Sequence, residues 1–427
     1  MWQTIVNAFK IKEVRRKILI TIALLFVYRL GCYIPVPGVG TEMFKDISNY
    51  NFLSIMSAVS GGALQYGTFF AMGIGPYINA SIIIQLLTVG IPALERLSKQ
   101  GEEGRKRINA YTRILTLVLA IAQSIGIVVG FGSPELPGKI FGADGFAKVM
   151  SYIFLVIVYT SGAAFTMWLG ERITDYGVSN GISLLIFAGI IATAGNSILN
   201  MLIAPTTAKM WELLGFILVA IVIFGAIVTV ESAERKIPVQ YAKQVKGRKM
   251  YGGQSTHIPI KVNASGVMPL IFAYAILSFP DLILNLVGVS KDNWWSVNMG
   301  TGSWPYMVVL CLLILFFSYF YNQIQFNPED ISKSIQGNGG FIPGYRPGKP
   351  TAVYLKRTAN RITLFGAIFL ALVALVPSLI FKGLTPNGEL VNVFSATGLL
   401  IVVSVALEFD QALQSQIMMK NYKGFLK

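Results

Sequence analysis

Ten apolar runs of 17 to 22 residues recur along a chain of 427 residues, at 18–34, 72–91, 113–131, 149–169, 182–203, 213–230, 267–287, 306–325, 362–381 and 393–409. Each is long enough to cross a hydrocarbon core of about 30 Å as a helix. The intervening stretches are rich in Gly, Pro, Lys and Arg, and an unpaired backbone is prohibitive in lipid, so helices rather than an open sheet must do the spanning. The expected fold class is therefore an all-α integral membrane protein with ten transmembrane helices. Composition agrees, because 13% of the residues are charged against the roughly 25% usual for soluble domains.

Charge orients the runs. The formal net charge is +15, and the excess of Lys and Arg falls before the first run and in the second, sixth and eighth loops. The odd loops are neutral or slightly acidic. Lys and Arg are retained on the cytoplasmic side, so both termini and the even loops are expected there, which requires an even number of helices. Lys10, Lys12, Arg15, Arg16 and Lys17 precede the first run, but Pro35 and Pro37 follow it without a small-residue cleavage site. The first helix is expected to be retained rather than removed as a signal peptide. Two even loops, 231–266 and 326–361, are too long and too basic for simple turns. They read either as docking surfaces for polyanionic partners or as no more than the orientation rule requires. In the second, GYRPG (344–348) presents Arg346 from a turn, which favours docking.

Several chemistries are excluded. His257 is the only histidine and HExxH is absent, so a histidine-rich metal site is not available. Cys32 and Cys311 lie in apolar runs and read as small buried hydrophobes rather than a disulfide. No GxxxxGK[ST] occurs, so any ATP hydrolysis belongs to a partner. No catalytic residue, metal or cofactor is expected.

The two halves of the chain echo each other. GIGPYI (73–78) opens the second run and GVMPLI (266–271) the seventh, both reading GxxPxI; LLI recurs at 184–186 in the fifth run and at 399–401 in the tenth. Five helices per half is an odd number, so the second half is expected to be inverted relative to the first. The expected division is 1–200, a hinge at 201–212, and 213–427. Gly/Pro-interrupted spans in matching positions point to the functional site. Ile82 and Ile190 follow Ile78 and Ile186 by four residues, a step that returns to the same helix face. Six isoleucines are thus candidates for a central ring: Ile78, Ile82, Ile186, Ile190, Ile271 and Ile401. Packing or lipid contact is the plain reading of any one of them, and the repeat is what singles them out. A ring of stiff apolar side chains dewets, blocks ions and offers a passing chain nothing polar to hold. A secondary transporter with five-plus-five inverted repeats is the alternative, but it calls for mid-membrane ionisable groups, which these runs nearly lack. An intramembrane enzyme fits less well, since paired membrane carboxylates are absent. Arg29, Glu408 and Asp410 lie near run ends, from which they can snorkel. The apolar, Gly-rich stretch 52–72 is too irregular for a span and reads as a re-entrant stopper beneath the pore.

GIGPYINASIIIQLLT (73–88), SGGAL (60–64), YAKQVKGRKMYGGQSTHIPIKVNASGVMP (241–269) and FIPGYRPG (341–348) closely resemble the SecY/Sec61-alpha family of channel-forming translocon subunits. The resemblance runs from the basic N-terminal helix to the tail. It implies an hourglass pore in a bacterial plasma membrane that passes unfolded secretory chains and releases apolar segments into lipid. Matched by position, the six isoleucines form the pore ring, and a plug spans about 57–70, including Ser60, Gly61, Gly62, Ala63 and Leu64. Arg248, Lys249 and Arg346 dock the SecA motor ATPase or ribosomal RNA. A lateral gate opens between helices two and three on one side and seven and eight on the other, with Gln85, Thr88 and Gln123 facing it. Lys249 stands where some relatives carry a second Arg, which removes the option of bidentate contact there. The implied partners also include SecE- and SecG-type small membrane subunits, signal sequences and preproteins, and membrane lipids.

Overall fold

The computed structural model describes residues 2–37, 39, 57, 60–130, 140, 145–203, 207–241, 244–246, 249–251, 255–263, 266–286, 294–299, 303–384 and 396–425. In chain order the first helices are α1 (Trp2–Lys10), α2 (Lys12–Gly31), α3 (Gly75–Gly90), α4 (Pro92–Ser98), α5 (Glu102–Gly130), α6 (Gly145–Tyr176), α7 (Gly181–Ile203) and α8 (Thr207–Glu231). Strands β1 (Glu234–Tyr241), β2 (Gln244–Lys246), β3 (Lys249–Tyr251) and β4 (Ser255–Lys261) follow. The rest comprises α9 (Met268–Leu286), α10 (Trp294–Asn298), α11 (Trp304–Gln325), α12 (Pro328–Gly337), β5 (Gly340–Phe341), α13 (Lys349–Leu384) and α14 (Ala396–Phe425).

Local chemistry sets the boundaries. Pro76 sits in the first turn of α3, where its missing N–H costs nothing. Pro92 then stops that helix, and α4 leaves at 105° to α3. Asn180 caps α7, its Oδ1 accepting from the backbone N–H of Ile182 at 3.0 Å. Ser303 caps α11 and Asn327 caps α12, with Glu329 and Asp330 in the first turn of α12 favouring its positive end.

Among the described residues, α5, α6, α11, α13 and α14 are each long and apolar enough to cross a membrane, and α3 with α4 makes a sixth if the bent pair counts as one span. Shorter apolar helical stretches lie on α7, α8 and α9. The connection expected at 201–212 is short, because α7 ends at Ile203 and α8 begins at Thr207. Two apolar clusters form the middle of the bundle. One gathers side chains from α3, α8, α9, α11, α13 and α14 around Phe272, Phe317 and Leu400. The other gathers α2, α6, α7 and α14 around Tyr28, Ile173 and Leu185.

The all-α expectation describes the spans but not the first large loop. There β1 pairs antiparallel with β4 from Glu234↔Lys261 to Gln240↔Ser255, and β2 pairs with β3. Ile237 and Val239 alternate inward along β1 with exposed neighbours, the two-residue period of a half-buried strand. His257, the lone histidine, lies exposed on β4. The two loops, read separately in the sequence, form one unit: β5 of the second loop pairs with the other edge of β1, Gln240↔Phe341 and Tyr241↔Gly340. Ile237, Val239 and Ile260 of the first loop share a core with Ile335, Ile342 and Leu355 of the second.

This platform is rooted in the bundle. The Glu231 carboxylate at the end of α8 accepts from the Asn263 side-chain amide and from the Ser404 hydroxyl of α14, each at 2.8 Å. Asn263 also donates to the Gly266 carbonyl at 3.0 Å, and Lys261 reaches Gln411 of α14 at 2.9 Å.

Candidate functional site

The two GxxPxI motifs adopt the same geometry. Gly73 and Gly266 both lie in the left-handed region, at φ 52° and 59°, which glycine enters without steric cost. Each is followed within three residues by a helix whose first turn contains the motif's proline. Ile78 and Ile271 occupy equivalent places, each donating its backbone N–H to the carbonyl four residues back, Ile74 and Val267, at 3.1 Å.

Five of the six candidate isoleucines meet in one cluster. Ile186 and Ile190 of α7 and Ile401 of α14 are 4–6% exposed, and Ile78 and Ile271 pack against them. Ile82, 5% exposed, packs instead in the neighbouring cluster with α9, α11 and α13, which Ile78 also touches. The isoleucines are thus brought together from α3, α7, α9 and α14.

The segment before α3 is wedged against these isoleucines. Residues 60–74 form no helix; they run as successive turns, with Ser60, Ala63, Leu64, Thr68 and Phe70 at most 2% exposed. Ala63 and Phe70 belong to the isoleucine cluster. Its turns are closed by bonds within the segment, such as Thr68 N–H to the Ala63 carbonyl at 3.2 Å, and it is tied to the chain after α2 where Phe69 N–H donates to Ile34 at 3.0 Å and Val36 N–H donates to Gly67 at 3.1 Å. Cys32 Sγ donates to the Ser60 carbonyl at 3.6 Å. Residues 58 and 59 lie outside the described residues. Arg29, expected to snorkel, turns inward instead. Its guanidinium donates to the Gly61 carbonyl at 3.1 Å and to Tyr33 Oη at 3.0 Å, since an open carbonyl within reach satisfies a cation that would otherwise need water. Gly61 itself, at φ 72°, faces Gly189 of α7, between Ile186 and Ile190, and a Cβ there would collide with the Arg29 guanidinium. Gly61→Ala is expected to strain or unseat the segment at a cost of about 1–3 kcal/mol, read as a lowered thermal midpoint in detergent.

The two halves also meet along a seam where α5 contacts α9 and α3 faces α11. Tyr321 of α11, 4% exposed, donates to Gln85 Oε1 of α3 at 2.6 Å, and Gln85 Nε2 donates to Ser81 Oγ at 3.1 Å. The Thr88 hydroxyl donates within its own helix, to the Ile84 carbonyl at 2.7 Å. Gln123 of α5 is 4% exposed, and among the described residues its Oε1 has no partner, as is true of Ser318 Oγ on α11. Sequence reasoning found Gln85 but not Tyr321, which nothing in the sequence separates from Tyr319 or the polar residues around it on α11.

On the platform, Arg346 is exposed and its turn is built rather than loose. Thr351 Oγ1 donates to the Arg346 carbonyl at 2.8 Å, and Ser332 Oγ donates to the Gly348 carbonyl at 2.7 Å. Tyr345 stacks on Tyr354 with ring centroids 4.1 Å apart. Beside it lies a groove of about 610 Å³ lined in part by Gln336, Phe341, Tyr345 and Arg346. Arg248 lies outside the described residues; Lys249 opens β3. Among the described residues no group of three His, Cys, Asp or Glu could hold a metal.

Paired broken-helix starts, an apolar waist and a two-sided seam define a multi-pass helical membrane protein of the channel or transporter class. A sequence profile of the SecY family matches residues 68–409. The chain is 42% identical to protein translocase subunit SecY of Streptomyces galbus over 99% of both chains, and 41% identical to that of Halalkalibacterium halodurans over the full length of both. The chain belongs to the SecY family. Its fold also matches solved structures: one described as a protein conducting channel, with a TM-score of 0.67 at 21% identity, and Sec61 in the canine ribosome-channel complex, with a TM-score of 0.64 at 18% identity. Both matches cover 94% of this chain and 92% of the other.

Proposed function

We propose that this chain is the channel-forming subunit of a protein translocase, passing unfolded polypeptides through its isoleucine waist and releasing apolar segments sideways through the seam. The observation that carries the reading is the gathering of Ile78, Ile186, Ile190, Ile271 and Ile401 in one apolar cluster, in a chain related end to end to translocase subunits. It is a channel subunit and not an enzyme. Segments leave by partition: each Leu or Ile favours the bilayer by about 0.3–0.6 kcal/mol, while a central Lys or Arg costs about 2.5–3.5. The scarcity of ionisable groups in the apolar runs disfavours the transporter alternative.

Ten spans fit this reading: α2, α3, α5, α6, α7, α8, α9, α11, α13 and α14 are the described helices of sixteen residues or more. They divide into two inverted sets of five, with both termini and the platform on the cytoplasmic face of a bacterial plasma membrane. The segment 57–70 is the plug, held by Arg29. The platform, through Arg248, Lys249 and Arg346, receives a SecA-type motor or a ribosome; fold relatives include ribosome-bound channel complexes from dog and yeast. SecE- and SecG-type subunits complete the assembly.

A stalled secretory chain is expected to crosslink to photoreactive probes at Ile82 and Ile271. Labelling confined to probes on the lipid-facing side, such as Phe365, would sink the pore assignment. At the gate, Tyr321→Phe removes the hydrogen bond to Gln85. Interhelical bonds of this kind average about 0.6 kcal/mol and reach about 1.7, so the gate should loosen several-fold, seen as export of substrates with weakened signal sequences. Unchanged signal stringency would refute the gate role.

A further inference from the structure

We infer that the cleft between the platform-side ends of α11 and α13 is a binding site for the headgroup of an anionic phospholipid. Tyr319 of α11 and Lys356, Arg357, Asn360 and Arg361 of α13 line a recess of about 400 Å³ there. Four-residue steps along α13 stack Asn360 on Lys356 and Arg361 on Arg357, two adjacent rows that together flank the recess. All three cations are exposed. Neither helix contains a single Asp or Glu, and among the described residues none of the three cations forms an ion pair. Three positive charges converge on one recess with no counter-ion built into either wall, so the ligand must bring the negative charge.

The depth of the recess identifies that ligand. Immediately beyond Arg361 the same face of α13 becomes apolar and stays exposed: Leu364, Phe365, Ile368 and Leu372 are 45–61% exposed, as are Leu312 and Phe316 of α11 at 60–61%. Arg361 and Phe365 are one helical turn apart, about 6 Å along the axis. The cations therefore stand where charged surface gives way to lipid-facing surface, the level of the headgroups, with an apolar track for acyl chains running directly from them. Asn360 and the Tyr319 hydroxyl can bond phosphate or glycerol oxygens, and basic pockets between transmembrane helices on this side of a bilayer suit anionic headgroups. RNA phosphates or an acidic protein face would gain nothing from the apolar track. Arg346, on its outward-facing turn, is better placed for those.

The site rests on the chain being a membrane protein and is independent of what crosses its waist. Full-length chain in detergent, exchanged with phosphatidylglycerol or phosphatidylcholine and read by native mass spectrometry, is expected to keep a phosphatidylglycerol adduct and lose phosphatidylcholine. Replacing all three cations, K356Q, R357Q and R361Q, should weaken the adduct on the order of a hundredfold, given the usual contribution of a juxtamembrane cation. K333Q, which removes an exposed charge from α12, should leave it intact. An adduct undiminished in the triple variant, equal retention of both lipids, or displacement by a short RNA or by millimolar inorganic phosphate would each overturn the assignment.

Discussion

Serine at Ile190 and Ile271 together should make the resting channel leak ions in planar bilayers, whereas leucine at the same positions should not. Stiff apolar side chains at the proposed waist disfavour water held between them, and the barrier then depends on that lining staying apolar. Two hydroxyls supply hydrogen-bonding partners and remove apolar volume at once, on side chains contributed by α7 and α9. Buried large-to-small changes cost about 2–5 kcal/mol each in soluble cores, so the leak is to be read alongside a thermal melt and against the leucine control. A folded double-serine protein with unchanged resting conductance would remove the waist from the list of barriers.

Arg346→Glu should nearly abolish motor- or ribosome-driven translocation while leaving the thermal midpoint within experimental error. The side chain is exposed and the turn beneath it is held by backbone carbonyls accepting from Thr351 and Ser332. The substitution therefore reverses a presented charge without touching the scaffold, and like-charge juxtaposition with a polyanionic partner costs several kcal/mol. Arg346→Lys should retain partial function, because it keeps the charge but loses the planar fork. Normal translocation by the glutamate variant would exclude Arg346 from docking.

Much of the membrane body was legible because lipid imposes one rule on every spanning residue. Apolar length located helices such as α5, α6 and α13 without knowledge of their neighbours, and the glycine–proline motifs marked the starts of α3 and α9. Five of the six isoleucines singled out by the repeat share one cluster, because matched positions in the two halves bring them together. What escaped was set by contacts between distant segments. The β1–β5 pairing joins residues about a hundred positions apart, and only the alternation of Ile237 with Val239 hinted that a strand was present. Arg29 looked like an interfacial cation until the Gly61 carbonyl came within its reach. Tyr321 became meaningful only opposite Gln85, and Thr88, polar and well placed in sequence, satisfies itself on its own helix.

The shared carboxylate of Glu231 has a mechanical consequence. Asn263, at the root of the platform, is five residues upstream of Met268, where α9 begins, and eight upstream of Ile271; Ser404 is three residues beyond Ile401 on α14. One anchor point therefore binds the platform to both helices that bring the second half's isoleucines to the waist. A stroke delivered to the platform would reach α14 directly through this carboxylate, as torque on a stiff rod, and Glu231→Gln would weaken the grip at that point.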